Sequence, residues 1–182
     1  SVIILCDTNG GNLPEEIADL VEKVRRVLRA EIGIHCHNDC DVAVANSLAA
    51  VDSGAVQVQG TINGYGERTG NCNLTTIIPN LTLKMGIETI PRDRLDRLTT
   101  VAHHVAELVN MPLNPQAAYV GHSAVAHKAG LHVSAIARRP DAYEHVSPDA
   151  VGNGTRFLVS ELAGRSTLTI KAAELGIDLD GP

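Results

Sequence analysis

Apolar and polar positions alternate between two periods along the first half of the chain. Val2-Ile3-Ile4-Leu5-Cys6 is a near-continuous apolar run, which reads as a buried strand entering the loop 7–12. Ile17, Leu20, Val21, Val24, Val27 and Leu28 then recur at helical spacing and predict a helix over about 14–30. Pro14 suits its first turn, and Glu15 and Glu16 complement the helix dipole there. A second unit repeats the scheme, with a strand at 32–36, a loop at 37–40 and a helix over about 41–53 stopped by Gly54. A third has a strand at 55–62, a Gly-rich loop at 63–72 and a helical segment running through Ile78 toward Lys84. Strand–helix units in series with apolar strands predict an α/β fold, a parallel sheet with helices outside. A TIM barrel takes eight such units in roughly 250 residues. The expectation is therefore the C-terminal part of a (β/α)8 barrel over 1–111, its first half absent from the sequence.

A longer helix is predicted at about 91–110, with Leu95, Leu98, Val101, Val105 and Leu108 on its apolar face. His103 and His104 lie in it, and both are expected to be structural or solvent-facing. From residue 112 the texture changes to Pro, Asn, Gly and short segments. This predicts a small, mostly helical post-barrel subdomain over 112–182, ending in the start of a linker.

Composition narrows the function classes. The chain has 182 residues, 44% hydrophobic and 20% charged, with no Trp, one Phe and three Tyr, so its core must be aliphatic. The net charge of −6 comes without a basic run or interleaved aromatics, which argues against a nucleic-acid partner. No apolar stretch approaches the roughly 20 residues that span a bilayer. No leader segment is visible at the start. The four cysteines lack metal-finger spacing and read as reduced thiols of a cytoplasmic protein. Cys36 and Cys40 form a C-x3-C, but Cys36 is expected to face away from the neighbouring histidines.

Those histidines are the richest feature. In His35-Cys36-His37-Asn38-Asp39 the two imidazoles sit at i and i+2 on a strand and share a face. Both can reach one divalent ion at the carboxyl end of the strand, where α/β proteins build their sites. Two strand-end histidines that only satisfy local hydrogen bonds are the plainer reading. The loop Asn63-Gly64-Tyr65-Gly66-Glu67-Arg68-Thr69-Gly70-Asn71 adds glycines that permit close backbone approach. Glu67 and Arg68 could pair, or Arg68 could hold an anionic substrate. The Asn71 carbonyl can ligate a hard cation.

Taken together, His35-x-His37-Asn38-Asp39, the run Val58 to Asn71 and Asp7-Thr8-Asn9-Gly10 resemble the 2-isopropylmalate synthase/homocitrate synthase/citramalate synthase family. These are metal-dependent, Claisen-condensing TIM barrels, a group that also includes 3-hydroxy-3-methylglutaryl-CoA lyase. Ala126-His127-Lys128-Ala129-Gly130-Leu131-His132, Tyr143-Glu144-His145-Val146 and Val159 to Ser166 look most like the citramalate synthase branch.

The resemblance implies a divalent cation (Mg, Mn, Zn or Co) on His35, His37 and Asn71, with the remaining Asp ligand on an early barrel strand outside this sequence. It implies substrate contacts at Thr8, Glu67 and Arg68. It also implies a catalytic His and Tyr from the post-barrel subdomain, at His132 and Tyr143. His127 is the rival for the His role, and Lys128 a candidate for CoA phosphates. Such an addition needs an electrophilic keto carbon and a base for the acetyl methyl.

The implied activity is an acetyl-CoA-dependent transferase acting on a small 2-oxo acid. The favoured reaction is pyruvate to citramalate on a route to isoleucine; the alternative is 2-oxoisovalerate on the route to leucine. A homodimer is implied, with one protomer's subdomain reaching the other's site. The 182 residues by themselves lack the early-barrel Asp, Arg and Glu and are expected to be inactive, a metal-binding fragment at most.

Overall fold

In a computed structural model, the first three strands lie parallel in the order β1 (Val2–Asp7), β2 (Glu31–Cys36) and β3 (Gln57–Gln59). The described residues are 1–127, 135, 139, 144–154, 156–157, 172 and 175–177. The register sets Cys6 beside His35 and His35 beside Gln59. Helices α1 (Pro14–Val27) and α2 (Ala43–Asp52) form the crossovers. The α1 start is held by Glu16, whose carboxylate accepts from the Leu13 backbone N–H at 2.8 Å. Helix α1 buries Ile17 and Val21, and α2 buries Ala43, Asn46, Ser47 and Ala50. Ile17, Val21, Ile32, Ile34, Cys36, Ala43, Ala50, Cys72 and Ile77 make one aliphatic core.

The parallel α/β reading of this region holds, with four changes. The helix α1 ends at Val27 rather than near 30, and Leu20, Val27 and Leu28 are exposed. The third strand is much shorter than 55–62. Beyond Gln59 the backbone at Thr61 pairs with the returning segment 72–74, through Thr61 N–H to the Cys72 carbonyl at 3.0 Å and Leu74 N–H to the Thr61 carbonyl at 2.9 Å. The helix after the Gly-rich loop, α3 (Leu74–Pro79), gives way to a π-helical turn at Asn80–Lys84. Pro79 has no N–H to donate, which loosens the ladder there.

The fourth change is at the long helix. A 3-10 segment, Arg92–Arg97, precedes α4 (Leu98–Leu108). Its buried positions are Leu95, Leu98, Ala102 and Ala106, whereas Val101 and Leu108 are exposed. His103 and His104 are exposed, as expected.

The chain divides into two compact units, Ser1–Arg92 with Ala102–Met111, and Asp93–Val101 with Pro112–Pro182. In the second, short parallel strands β4 (Ala126–His127) and β5 (Arg156–Phe157) pair, and a 3-10 turn, Pro148–Val151, ends at Gly152. Asn153 donates to the carbonyls of Tyr119 and Gly121 at 2.8 and 3.1 Å. These bonds hold Tyr119 at φ 66°, with its ring edge-on to His145 at 5.5 Å. Among the described residues no helix is long and apolar enough to cross a membrane.

Candidate metal centre

Strand β2 sorts its side chains by parity. Ile32, Ile34 and Cys36 enter the core, all at most 1% exposed. His35 and His37 take the opposite face, with ring centroids 5.2 Å apart and planes at 72°. Three backbone contacts bring the neighbouring loops to this strand end. His37 N–H donates to the Asp7 carbonyl at 3.2 Å, Cys72 N–H to the Cys36 carbonyl at 2.9 Å, and Asn38 N–H to the Gly70 carbonyl at 2.9 Å. His37 and Asn71 thereby become direct antiparallel bridge partners. The structure thus brings together the three residues that the sequence singles out as ligands.

The Asn71 side chain is aimed. Its amide nitrogen donates to the Tyr65 carbonyl at 3.2 Å, which leaves Oδ1 as the free end. A Cβ on Gly66 would overlap that amide nitrogen, so the glycine makes room for this orientation. Asn71 is only 9% exposed.

Buried polar atoms without partners concentrate here. Among the described residues they include Asp7 Oδ2, His37 Nδ1 and Asn71 Oδ1. Each such atom costs about 1–3 kcal/mol of lost solvation unless something satisfies it. An imidazole nitrogen and an amide oxygen, both lone-pair donors and side by side, fit a borderline-to-hard divalent cation. Asp7 is 4% exposed, and its other oxygen accepts from Asn12 Nδ2 at 2.6 Å. It does not join the imidazoles as a third donor: among the described residues no three His, Cys, Asp or Glu side chains converge. The sequence marks Asp7 only as part of the Asp7-Thr8-Asn9-Gly10 motif, although a lone acid ending an apolar run is itself a signal.

The remaining expected site residues fall as follows. Thr8 is exposed beside Asp7. Glu67 is exposed, and the anticipated Glu67–Arg68 pair survives only as a 3.9 Å contact. Arg68 is instead committed elsewhere. Its Nε and Nη2 donate to the two Asp39 carboxylate oxygens at 2.8 and 2.9 Å, and Nη2 also donates to the Thr8 carbonyl at 2.8 Å. Hydrogen bonding from Arg68 holds the Asp39 carboxyl below its usual range. His132 and Tyr143 lie outside the described residues, as does Lys128. The four cysteines are free thiols. Burial pushes Cys36 up to about 12 and Cys72 up to about 11.

The HMGL-like family model matches residues 1–106, and the model described as homocitrate synthase post-HMGL domain-like matches residues 119–181. The (R)-citramalate synthase of Aquifex aeolicus is 55% identical over 179 residues, covering 98% of this chain and 34% of that protein. That of Geobacter sulfurreducens is 56% identical over 178 residues, again covering 98% and 34%. The chain therefore spans about a third of the length of these curated relatives. An HMG-CoA lyase from Acinetobacter baumannii, solved in complex with coenzyme A and 3-methylmalate, superposes with a TM-score of 0.54 at 25% identity. The match covers 61% of this chain and 38% of that one.

Proposed function

The chain belongs to the HMGL-like family, and from that premise we propose that the protein it forms part of condenses acetyl-CoA with pyruvate, giving citramalate and free CoA. The observation that carries this reading is the bridged His37–Asn71 pair beside His35, its donor atoms buried and unpartnered, in a chain 55–56% identical to (R)-citramalate synthases.

His35, His37 and Asn71 would hold a divalent cation (Mg, Mn, Zn or Co). When bound, that cation supplies Lewis-acid polarisation of the 2-oxo acid's keto oxygen. The chain's own residues do the rest of the positioning. Thr8 and Glu67, on the loops beside the imidazoles, are the candidate substrate contacts, and Arg68 borders the same loops. The Asp7 carboxylate, buried and with one oxygen unengaged, is a further polar group at this strand end. His132 and Tyr143, carried over from the resemblance, are the candidates for proton removal from the acetyl methyl and for donation to the enolate that forms.

In this reading residues 1–111 are the later βα units of a (β/α)8 barrel and 112–182 a mostly helical post-barrel subdomain. The lyase superposition and the two family matches support that arrangement. The working enzyme is proposed to be a cytoplasmic homodimer.

The test is CoA release from acetyl-CoA by the full-length protein, followed with a thiol reagent. Pyruvate, 2-oxoisovalerate and 2-oxoglutarate are compared, each with and without EDTA. Pyruvate-dependent release abolished by the chelator is the expected result. Release with 2-oxoisovalerate but not pyruvate would move the enzyme to the leucine branch. No release with any acceptor would refute the condensing activity.

A further inference from the structure

Three loops end the three parallel strands, and each carries part of the candidate centre. The loop after β1 holds Thr8, the loop after β2 continues from His37, and the loop after β3 holds Asn71. Among the described residues, one pair of side chains ties all three together. Arg68, on the third loop, makes a two-point contact with Asp39 on the second and a further hydrogen bond to the Thr8 carbonyl on the first.

Two backbone features show that this contact is built in. Arg68 sits at φ 56°, in the left-handed region that a long side chain adopts only when its surroundings hold it there. Gly10, at φ 66°, lies where any Cβ would collide with Asp39 Oδ2, so the first loop is cut to admit the Asp39 carboxylate. The Cys40 N–H also donates to the Gly10 carbonyl at 3.2 Å, closing the second loop onto the first around the pair. Asp39 is two residues from His37, and Arg68 is three from Asn71. A planar guanidinium gripping a carboxylate at two points fixes orientation as well as distance.

We propose that Arg68 and Asp39 are positioning residues, a clamp that holds the His37 loop and the Asn71 loop at the spacing required to bind the divalent cation. The proposal rests on the metal-centre reading above and goes beyond it: it gives Arg68 a task directed at the metal rather than at the substrate carboxylate. A lysine cannot replace the arginine, because it lacks the planar fork.

The test is direct titration of the metal-free, full-length protein with Mn2+, read by the loss of the free-ion EPR signal. Asp39→Asn, Arg68→Met and Arg68→Lys are each expected to weaken Mn2+ binding by about tenfold to a hundredfold, the range for groups that orient ligands. The metal-free proteins should melt as the parent does. The double variant Asp39→Asn/Arg68→Met should be no weaker than either single one, since the two residues act as a unit. At saturating Mn2+ the variants should regain most of their kcat with an unaltered KM for the 2-oxo acid.

Unchanged Mn2+ affinity in the single variants would overturn the clamp, as would losses that multiply in the double variant. So would an Arg68→Met variant with a raised KM at saturating Mn2+ beside an unaffected Asp39→Asn, which would make Arg68 a substrate contact. His37→Ala is titrated in parallel. If it loses Mn2+ while the clamp variants keep it, the clamp alone fails; if it keeps Mn2+, the metal-centre reading fails with it.

Discussion

Strand β2 and the residue that follows it, His37, put their two faces to opposite uses. One face, Ile32, Ile34 and Cys36, is sealed against helices and takes part in no chemistry. The other carries His35 and His37 to a strand end where loops converge and polar atoms stand unpaired. The two cysteines nearest the site show how strict the division is. Cys36 lies between the two histidines in sequence, yet burial holds its thiol at about 12, and Cys72, next to Asn71, at about 11. Thiols so disfavoured as thiolates are poor ligands and poor nucleophiles. Side-chain parity on one strand thus separates a core from a site with no change of backbone.

His37→Ala or His35→Ala in the full-length protein is expected to lower chelator-sensitive CoA release by about a thousandfold or more, as loss of a Lewis acid requires. Its unfolding midpoint should barely move. The mirror experiment is Ile34→Ala on the apolar face. It should cost about 2–5 kcal/mol in denaturant unfolding while leaving Mn2+ affinity intact in the molecules that remain folded. Gly66→Ala is a smaller probe of the polar face. The added Cβ displaces the Asn71 amide and should weaken metal binding by about tenfold with little change in melting temperature.

The smallest effect is a pH dependence from the apolar face. Both thiols have folded values above the ordinary 9.0, so between about 9 and the folded values the unfolded chain loses protons that the folded chain keeps. Their contribution to stability is therefore complete below about 9 and is lost as pH rises toward about 11 for Cys72 and about 12 for Cys36. A thiol reagent at pH 8 should label the exposed Cys40 at once, and Cys36 and Cys72 only on unfolding. Fast labelling of Cys36 and Cys72 would contradict the sealed face.

Much of this was legible in the sequence because the signals are local. The His-x-His pair, its place at a strand end and the helical stripe of Ile17, Val21 and Val24 need only neighbours a few residues apart. What was not legible depends on distant partners or on small side chains. Local sequence offers Arg68 either its neighbour Glu67 or an anionic substrate, whereas its partner Asp39 is 29 positions away, on the loop after the adjacent strand. The pattern extends the third strand to Ile62 because nothing local marks the point where segment 72–74 takes over the pairing at Thr61. Of the stripe Leu95, Leu98, Val101, Val105 and Leu108, the first two are buried, but beyond them the buried face runs through Ala102 and Ala106, whose small side chains carry little weight in a hydrophobic pattern. Asp7 was seen only as part of a loop motif, since its burial depends on Asn12 and on the strand beside it.

The central claim is that two imidazoles from one strand share one cation. Pulsed EPR on the Mn2+-loaded full-length protein tests it most directly. Nitrogen couplings from two imidazoles are expected, one lost in His35→Ala and one in His37→Ala. A Mn2+ signal with no imidazole coupling, in a protein whose CoA release still requires the metal, would contradict it.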